Sequence, residues 1–273
     1  MVLPNFLIIG AQKCGTTWLY NMLNQHPNIF LPNKKELEYF SYSKNNQEDI
    51  NNYKEMFTSS NGQKAIGEAT PSYFWNADAY LKWNNKPDGF ENNIPKEVYK
   101  ALGSSTKFIL LLRNPIERAI SAYLHHCKKR RISLRSDILE VGRHHGIIHM
   151  GFYYEHLLKW YEYFKPENFL IIIFETDFIN DKKQLLENTF NFLKVDNQFI
   201  PKNYNKEIHK GMHRLKVNNN YYLSSKNKEV DLSDNNKLLF INEDTRTQLY
   251  EIYRKDIKKL SQLINKDLES LWK

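Results

Sequence analysis

The fold is decided by the stretch Phe6-Leu7-Ile8-Ile9-Gly10-Ala11-Gln12-Lys13-Cys14-Gly15-Thr16-Thr17-Trp18. Consecutive apolar residues at 6–9, with no polar alternation, predict a short strand covered on both faces. Gly10 and Gly15 then bracket a loop in the spacing Gly-x4-Gly, and helical spacing runs over 16–25. A strand, a glycine-bounded loop and a helix N-terminus together make a phosphate cradle, because converging amides and the helix end both favour an anion. In the nucleoside-triphosphate loop G-x-x-x-x-G-K-[ST], lysine follows the second glycine. Here Thr16 holds that place, and the cation sits inside the loop at Lys13. The shift suits a phosphate whose breaking bond is not a β–γ link. Lys13, Thr16 and Thr17 favour phosphate binding over a turn kept tight for packing alone. Cys14 reads as a small residue the loop requires, since no His or Asp accompanies it as for a reactive thiol.

Two further apolar runs, Phe108–Leu112 and Phe169–Phe174, repeat the strand signal, and helical spacing runs over 115–131, 153–164, 182–193 and 243–264. Strands alternating with helices predict an α/β fold, three layers deep, with a mainly parallel central sheet. In such sheets ligands bind at the carboxyl ends of the strands. The second run ends in Arg113-Asn114-Pro115, with Pro115 suited to a first helical turn. Arg113 and Ser121 can clamp a second phosphate, the arginine as a planar fork and the serine as one hydroxyl. An ion pair of Arg113 with Glu117, four residues on, is the plain alternative, and these residues alone leave both open. A triphosphatase would place an Asp after such a strand to hold Mg²⁺. Arg113 stands there instead, which favours a metal-free site, with Glu175 as the nearest substitute acid.

The 273 residues carry 39 Lys+Arg against 31 Asp+Glu, a formal +8, with 41% hydrophobic and 14% aromatic residues. That is enough apolar material to exclude a disordered chain. Mean hydropathy is −0.65, and no apolar run approaches the ~20 residues of a membrane span. The N-terminus enters a strand without a charged segment and long apolar stretch, so no signal peptide is expected. Two cysteines, Cys14 and Cys127, make no disulfide framework, which points to a reducing, cytoplasmic location. No repeat and no Pro/Gly/Ser linker divides the chain, so a single domain over 1–273 is expected. The positive balance fits an anionic partner: nucleic acid, an anionic membrane or a phosphorylated small molecule.

FLIIGAQKCGTTWLYNMLNQHPNI and KFILLLRNPIERAISAYLHH resemble the two donor-binding signatures of sulfotransferases that use 3′-phosphoadenosine 5′-phosphosulfate. The likeness continues through PNKKELEYFS, IGEATPSYF, GFYYEHLLKWYEYF, FLIIIFETDF and the C-terminal INEDTRTQLYEIYRKDIKKLSQLINKDLESLW, nearly the whole chain in blocks. The carbohydrate-type and bacterial branch is the nearest in flavour. The resemblance implies the P-loop-like sulfotransferase fold. It also implies in-line sulfuryl transfer to a hydroxyl or amine of a glycan or small natural product, without metal and with adenosine 3′,5′-bisphosphate as product.

By that resemblance, the loop from Lys13 through Cys14, Gly15, Thr16 and Thr17 holds the 5′-phosphate. Lys13 meets the charge developing on the leaving phosphate, an electrostatic role. Arg113 and Ser121 hold the 3′-phosphate. Trp18 contacts adenine or else packs as a core aromatic. Glu36, in Lys35-Glu36-Leu37-Glu38-Tyr39-Phe40, matches the general base, with Glu38, His125 and His126 as alternatives. Tyr153 aligns with a tyrosine near the donor or acceptor. Lys210-Gly211-Met212-His213-Arg214 is the nearest match to a basic loop over the 3′-phosphate, with its arginine displaced. Several carbohydrate-type members carry a lysine before the Thr-Pro of IGEATPSYF. Ala69 stands there, after Glu68, which is left to position the acceptor or a loop, or to pair with a cation.

A P-loop nucleotide or small-molecule kinase is the rival enzyme, opposed by the position of Lys13 and by Arg113. A basic nucleic-acid module is the rival outside enzymes. Lys128-Lys129-Arg130-Arg131 suggests it but suits the C-terminal end of a helix equally, and no RNA-binding aromatic signature accompanies it. His145 and His149 are four apart without the Glu of H-E-x-x-H, so no metal site is expected. The acceptor is expected to meet segments within 40–60, 74–95 and 132–150.

Overall fold

A computed structural model describes residues 2–42, 47–75, 93–206, 214–217, 220–223 and 238–273. The order is β1 (Phe6–Gly10), α1 (Thr16–Leu23), β2 (Ile29–Phe30), α2 (Tyr39–Tyr42), α3 (Gln47–Glu55), β3 (Ala65–Ala69), α4 (Ile94–Leu102) and β4 (Lys107–Leu112). Then follow α5 (Pro115–Lys128), α6 (Ile138–Val141), α7 (Tyr153–Tyr161), β5 (Phe169–Ile173) and α8 (Lys182–Leu193). The chain ends with β6 (Arg214–Val217), β7 (Asn220–Leu223), β8 (Leu238–Ile241), α9 (Glu243–Leu263) and α10 (Leu268–Leu271). Two compact units divide the chain, one over 1–113 with 155–206, the other over 114–154 with 207–273.

The first unit is built on a parallel sheet of order β2-β3-β1-β4-β5. β1 lies at its centre, with Phe6 opposite Gly67 of β3 and Lys107 of β4. All five residues of β1 are buried, as are Phe108–Leu112 of β4. These are the uninterrupted apolar runs, and burial on both faces is why they do not alternate. The third run ends as strand at Ile173, and Phe174–Phe178 turn into a single wide helical turn. β3 reads Ala-Ile-Gly-Glu-Ala and is buried throughout; its glycine and glutamate broke the apolar pattern that marks the other strands. Strand order reverses about β1, which places the expected ligand crevice at the carboxyl ends of β1 and its neighbours.

In the second unit, Asn114 caps α5, its side chain accepting the N–H groups of Ile116 at 3.0 Å and Glu117 at 3.4 Å. Pro115 fills the first turn, where its missing N–H costs nothing. Helix α5 stops at Lys128, earlier than the spacing to 131, and Arg130 has φ +57°. Helix α9 begins at Asn242, which accepts from Thr245 N–H at 2.7 Å. It buries Leu249, Tyr253, Asp256, Ile257 and Leu260 along one stripe, the amphipathic spacing that keeps a helix on its core. The Tyr253 hydroxyl donates to Ile148 O at 2.8 Å, and Asp256 accepts from Tyr154 N–H at 3.1 Å. β6, β7 and β8 pair antiparallel in a separate small sheet.

Candidate active site

The loop after β1 is shaped by two close approaches. A Cβ on Gly10 would lie 2.8 Å from Phe74 Cβ and 3.1 Å from Pro71 O, so only glycine lets β1 meet the 71–74 turn. Gly15 has φ +97°, a left-handed conformation, at the N-cap of α1. A side chain there would press on Phe178, 3.1 Å away. No side chain caps α1. Its first-turn amides have no intrahelical acceptor, so they and the helix dipole face whatever occupies the loop. Thr16 is buried and Thr17 half-buried beside them, and Cys14 is fully buried, its thiol 3.6 Å from Gln12 O. Lys13 is half-buried with φ +70°.

Arg113 ends β4 and meets this loop. Its Nη1 lies 3.4 Å from Lys13 O, and its guanidinium carbon lies 4.8 Å from the centre of the Phe174 ring. Phe174 and Phe178 stack at 4.7 Å. One aromatic therefore carries the arginine and its partner walls Gly15. An arginine stacked on a ring keeps its planar donors aimed. Phe174 and Phe178 were not anticipated from sequence. Their spacing of four across Phe-Glu-Thr-Asp-Phe was the available signal. The Arg113 guanidinium and a helix N-terminus thus meet the Lys13 loop at the carboxyl ends of β1 and β4, an arrangement fitted to an anion.

Trp18 is 4% exposed, with its indole N–H donating to Tyr204 O at 3.0 Å and its ring edge-on to Phe178 at 4.9 Å. It is packed as a core aromatic.

Glu36 sits on the loop before α2, exposed, its carboxylate 2.5 Å from Lys35 Nζ. Its amide donates to Ala69 O at 3.1 Å, which ties this loop to the carboxyl end of β3. Glu38 is half-buried two residues on; burial and the nearby Glu36 charge raise its carboxyl pKa, against the pull of Lys34. Glu68 is 1% exposed and pairs with no cation among the described residues. Its partners are the hydroxyls of Tyr53, Thr70 and Tyr73. Of the roles left open for it, this geometry is that of a loop anchor.

In the second unit, Ser121 is half-buried in the middle of α5, and Tyr153 is fully buried at the start of α7 with its ring 6.0 Å from Trp272. His126 is buried and stacks on His145 at 4.5 Å. His149 is buried, and burial together with the Arg118 charge lowers its pKa to about 4. Lys128–Arg131 are exposed at the end of α5, where cations complement the helix dipole. Lys210 and Gly211 lie outside the described residues; Arg214 begins β6. Among the described residues no three His, Cys, Asp or Glu side chains gather as metal ligands, and no helix is long and apolar enough to cross a membrane.

A family profile described as "Sulfotransferase domain" matches residues 3–261, and the chain belongs to that family. A solved sulfotransferase from Alicyclobacillus acidocaldarius superposes with TM-score 0.71 at 25% identity, covering 100% of this chain and 99% of that one. A membrane-associated sulfotransferase, kil1, of Dictyostelium discoideum is 42% identical over 124 residues, 45% of this chain and 23% of that protein. The heparan sulfate glucosamine 3-O-sulfotransferase 5 of Mus musculus is 28% identical over 181 residues, 62% of this chain and 47% of that one. Carbohydrate sulfotransferase 15 of Rattus norvegicus is 25% identical over 247 residues, 71% of this chain and 44% of that one. The chain spans less than half the length of these three curated relatives.

Proposed function

We propose that this protein transfers a sulfuryl group from 3′-phosphoadenosine 5′-phosphosulfate to a hydroxyl or amine of a glycan or small natural product. The observation that supports this is Arg113 reaching the Lys13 carbonyl of the loop beside the uncapped start of α1, at the carboxyl ends of β1 and β4. The donor supplies a sulfuryl group activated by its bond to phosphate. The loop amides, with Thr16 and Thr17, hold the 5′-phosphate, and Lys13 meets the negative charge that grows on the bridging oxygen as its bond to sulfur breaks. By the family resemblance, Arg113, Ser121, Lys210 and Gly211 are the residues assigned to the 3′-phosphate, and Tyr153 is assigned to the donor or acceptor. Glu36 takes the proton that the acceptor loses as its oxygen or nitrogen bonds to sulfur. Its exposure leaves it reachable by an acceptor, whereas Glu38 is partly covered. No step calls on a metal. The two units act as one sulfotransferase domain, in the cytoplasm. The acceptor is drawn from the glycan class on which the matched relatives are named to act.

The test is transfer of radiolabelled sulfate from the donor to a panel of glycans and phenols. Wild type should label at least one class, and Glu36→Gln should abolish labelling while adenosine 3′,5′-bisphosphate still binds. Full labelling by Glu36→Gln would remove Glu36 as the base.

A further inference from the structure

The most completely buried acid among the described residues of the first unit has no part in the chemistry above. The Glu68 carboxylate, at the end of β3, accepts from Tyr53 Oη at 2.8 Å, Tyr73 Oη at 3.0 Å and Thr70 Oγ1 at 2.7 Å. A carboxylate offers about four acceptor positions, and three neutral hydroxyls occupy most of them here. Burial still pushes its pKa up. A buried charge of this kind stabilises a fold poorly compared with a packed apolar side chain, so its presence calls for another role.

The hydroxyls that hold Glu68 are bonded on their other side. Thr70 Oγ1 also accepts the Glu38 N–H at 3.4 Å, and Tyr73 Oη accepts the Phe40 N–H at 3.3 Å. Each hydroxyl has a single proton. By taking that proton, the carboxylate leaves each oxygen facing the loop as an acceptor only. Ala69 O accepts from Glu36 N–H, so the amides of residues 36, 38 and 40 all end on the 69–73 segment. The loop needs such support, since Glu36 and Glu38 have φ of +64° and +58°, a conformation costly for residues with a Cβ. Tyr53 extends the same network to α3, and its ring stacks on Tyr39 at 4.3 Å.

We propose that Glu68 is a positioning residue: it orients the Thr70 and Tyr73 hydroxyls, and so fixes loop 36–40, and with it the Glu36 carboxylate, at the carboxyl end of β3. The loop clamp stands on the geometry alone; its effect on turnover rests on Glu36 being the base.

Glu68→Gln in the full chain tests this, because glutamine has one acceptor oxygen and an amide group that only donates, so one donor loses its partner. Amide hydrogen exchange at residues 36–40 should quicken by about tenfold or more, with β1 and β4 amides unchanged. With heparan sulfate as probe acceptor, kcat should fall by about tenfold or more while the KM for the phosphosulfate donor stays within about twofold. Unchanged exchange at 36–40, or an equal rise across β1 and β4, overturns the proposal. If Glu68→Gln does not fold, Tyr73→Phe should quicken exchange at Phe40, and unchanged exchange there overturns the proposal. Glu36→Gln separates the two claims, for it should stop turnover without changing exchange at the other loop amides. If Glu36→Gln keeps full turnover, or wild type does not sulfate heparan sulfate, the exchange result alone decides the clamp.

Discussion

Two loops leave the same edge of the parallel sheet and are held in opposite ways. The loop after β1 is shaped by what it lacks: no side chain at Gly10 or Gly15, and no cap on α1. Arg113 is held against the Lys13 carbonyl and the Phe174 ring beside that uncapped start. The segment from Glu68 to Tyr73 is shaped by what it fills, with a buried carboxylate taking three neutral hydroxyls. The first arrangement leaves the first-turn amides of α1 for a ligand. The second uses its capacity up in holding the neighbouring loop. A binding site and a positioning site can thus be told apart by where the hydrogen bonds end.

Substitutions at the two loops should therefore separate cleanly. The largest effect is expected from Arg113→Ala, which removes charge-assisted bonds worth about 3 kcal/mol together, or about a hundredfold in affinity for adenosine 3′,5′-bisphosphate. Calorimetry reads it directly, and an unchanged affinity would place the 3′-phosphate elsewhere. Gly15→Val comes next. Strain at a left-handed position plus contact with Phe178 should cost about 2 kcal/mol in chemical unfolding, with weaker bisphosphate binding. A fully stable variant that binds normally would mean the loop does not need its glycine. Tyr53→Phe should cost about 1 kcal/mol, since Glu68 keeps the Thr70 and Tyr73 hydroxyls, and bisphosphate affinity should not move. A loss of affinity there would break the separation of the two loops.

The smallest effect is on pH dependence. The folded protein holds the Glu68 proton more tightly than the unfolded chain, because burial raises the carboxyl pKa. Wherever the folded state binds more protons, stability falls as pH rises. The contribution is complete below the unfolded glutamate pKa, about 4.3, and is lost as pH rises through the folded value. Urea midpoints for wild type and Glu68→Gln should therefore converge or cross over that window. Parallel profiles would show that Glu68 titrates as it does unfolded.

The first loop was legible in the sequence and the second was not, for a physical reason. Continuous apolar runs announce strands buried on both faces, so β1, β4 and β5 could be read, as could the helices following β1 and β4. Glycines, a lysine and hydroxyls in a strand-to-helix loop announce a phosphate cradle. β3 gave no such signal, since Gly67 and Glu68 interrupt it. Its glutamate is buried with partners at positions 53, 70 and 73, a set that no local pattern joins. Phe174 and Phe178 likewise belong to a turn whose function depends on Arg113, sixty residues away in the chain. Trp18 could be read either way from sequence, and the structure packs it against Phe178 and the Tyr204 carbonyl.

The central claim is that the cradle after β1, joined by Arg113, binds a phosphosulfate donor and not a nucleoside triphosphate. Calorimetry of the wild-type protein with adenosine 3′,5′-bisphosphate and, separately, with ATP and Mg²⁺ tests it most directly. One saturable site for the bisphosphate, with ATP and Mg²⁺ binding far more weakly, is the predicted result. No binding of the bisphosphate, or equal binding of ATP with Mg²⁺, would contradict it.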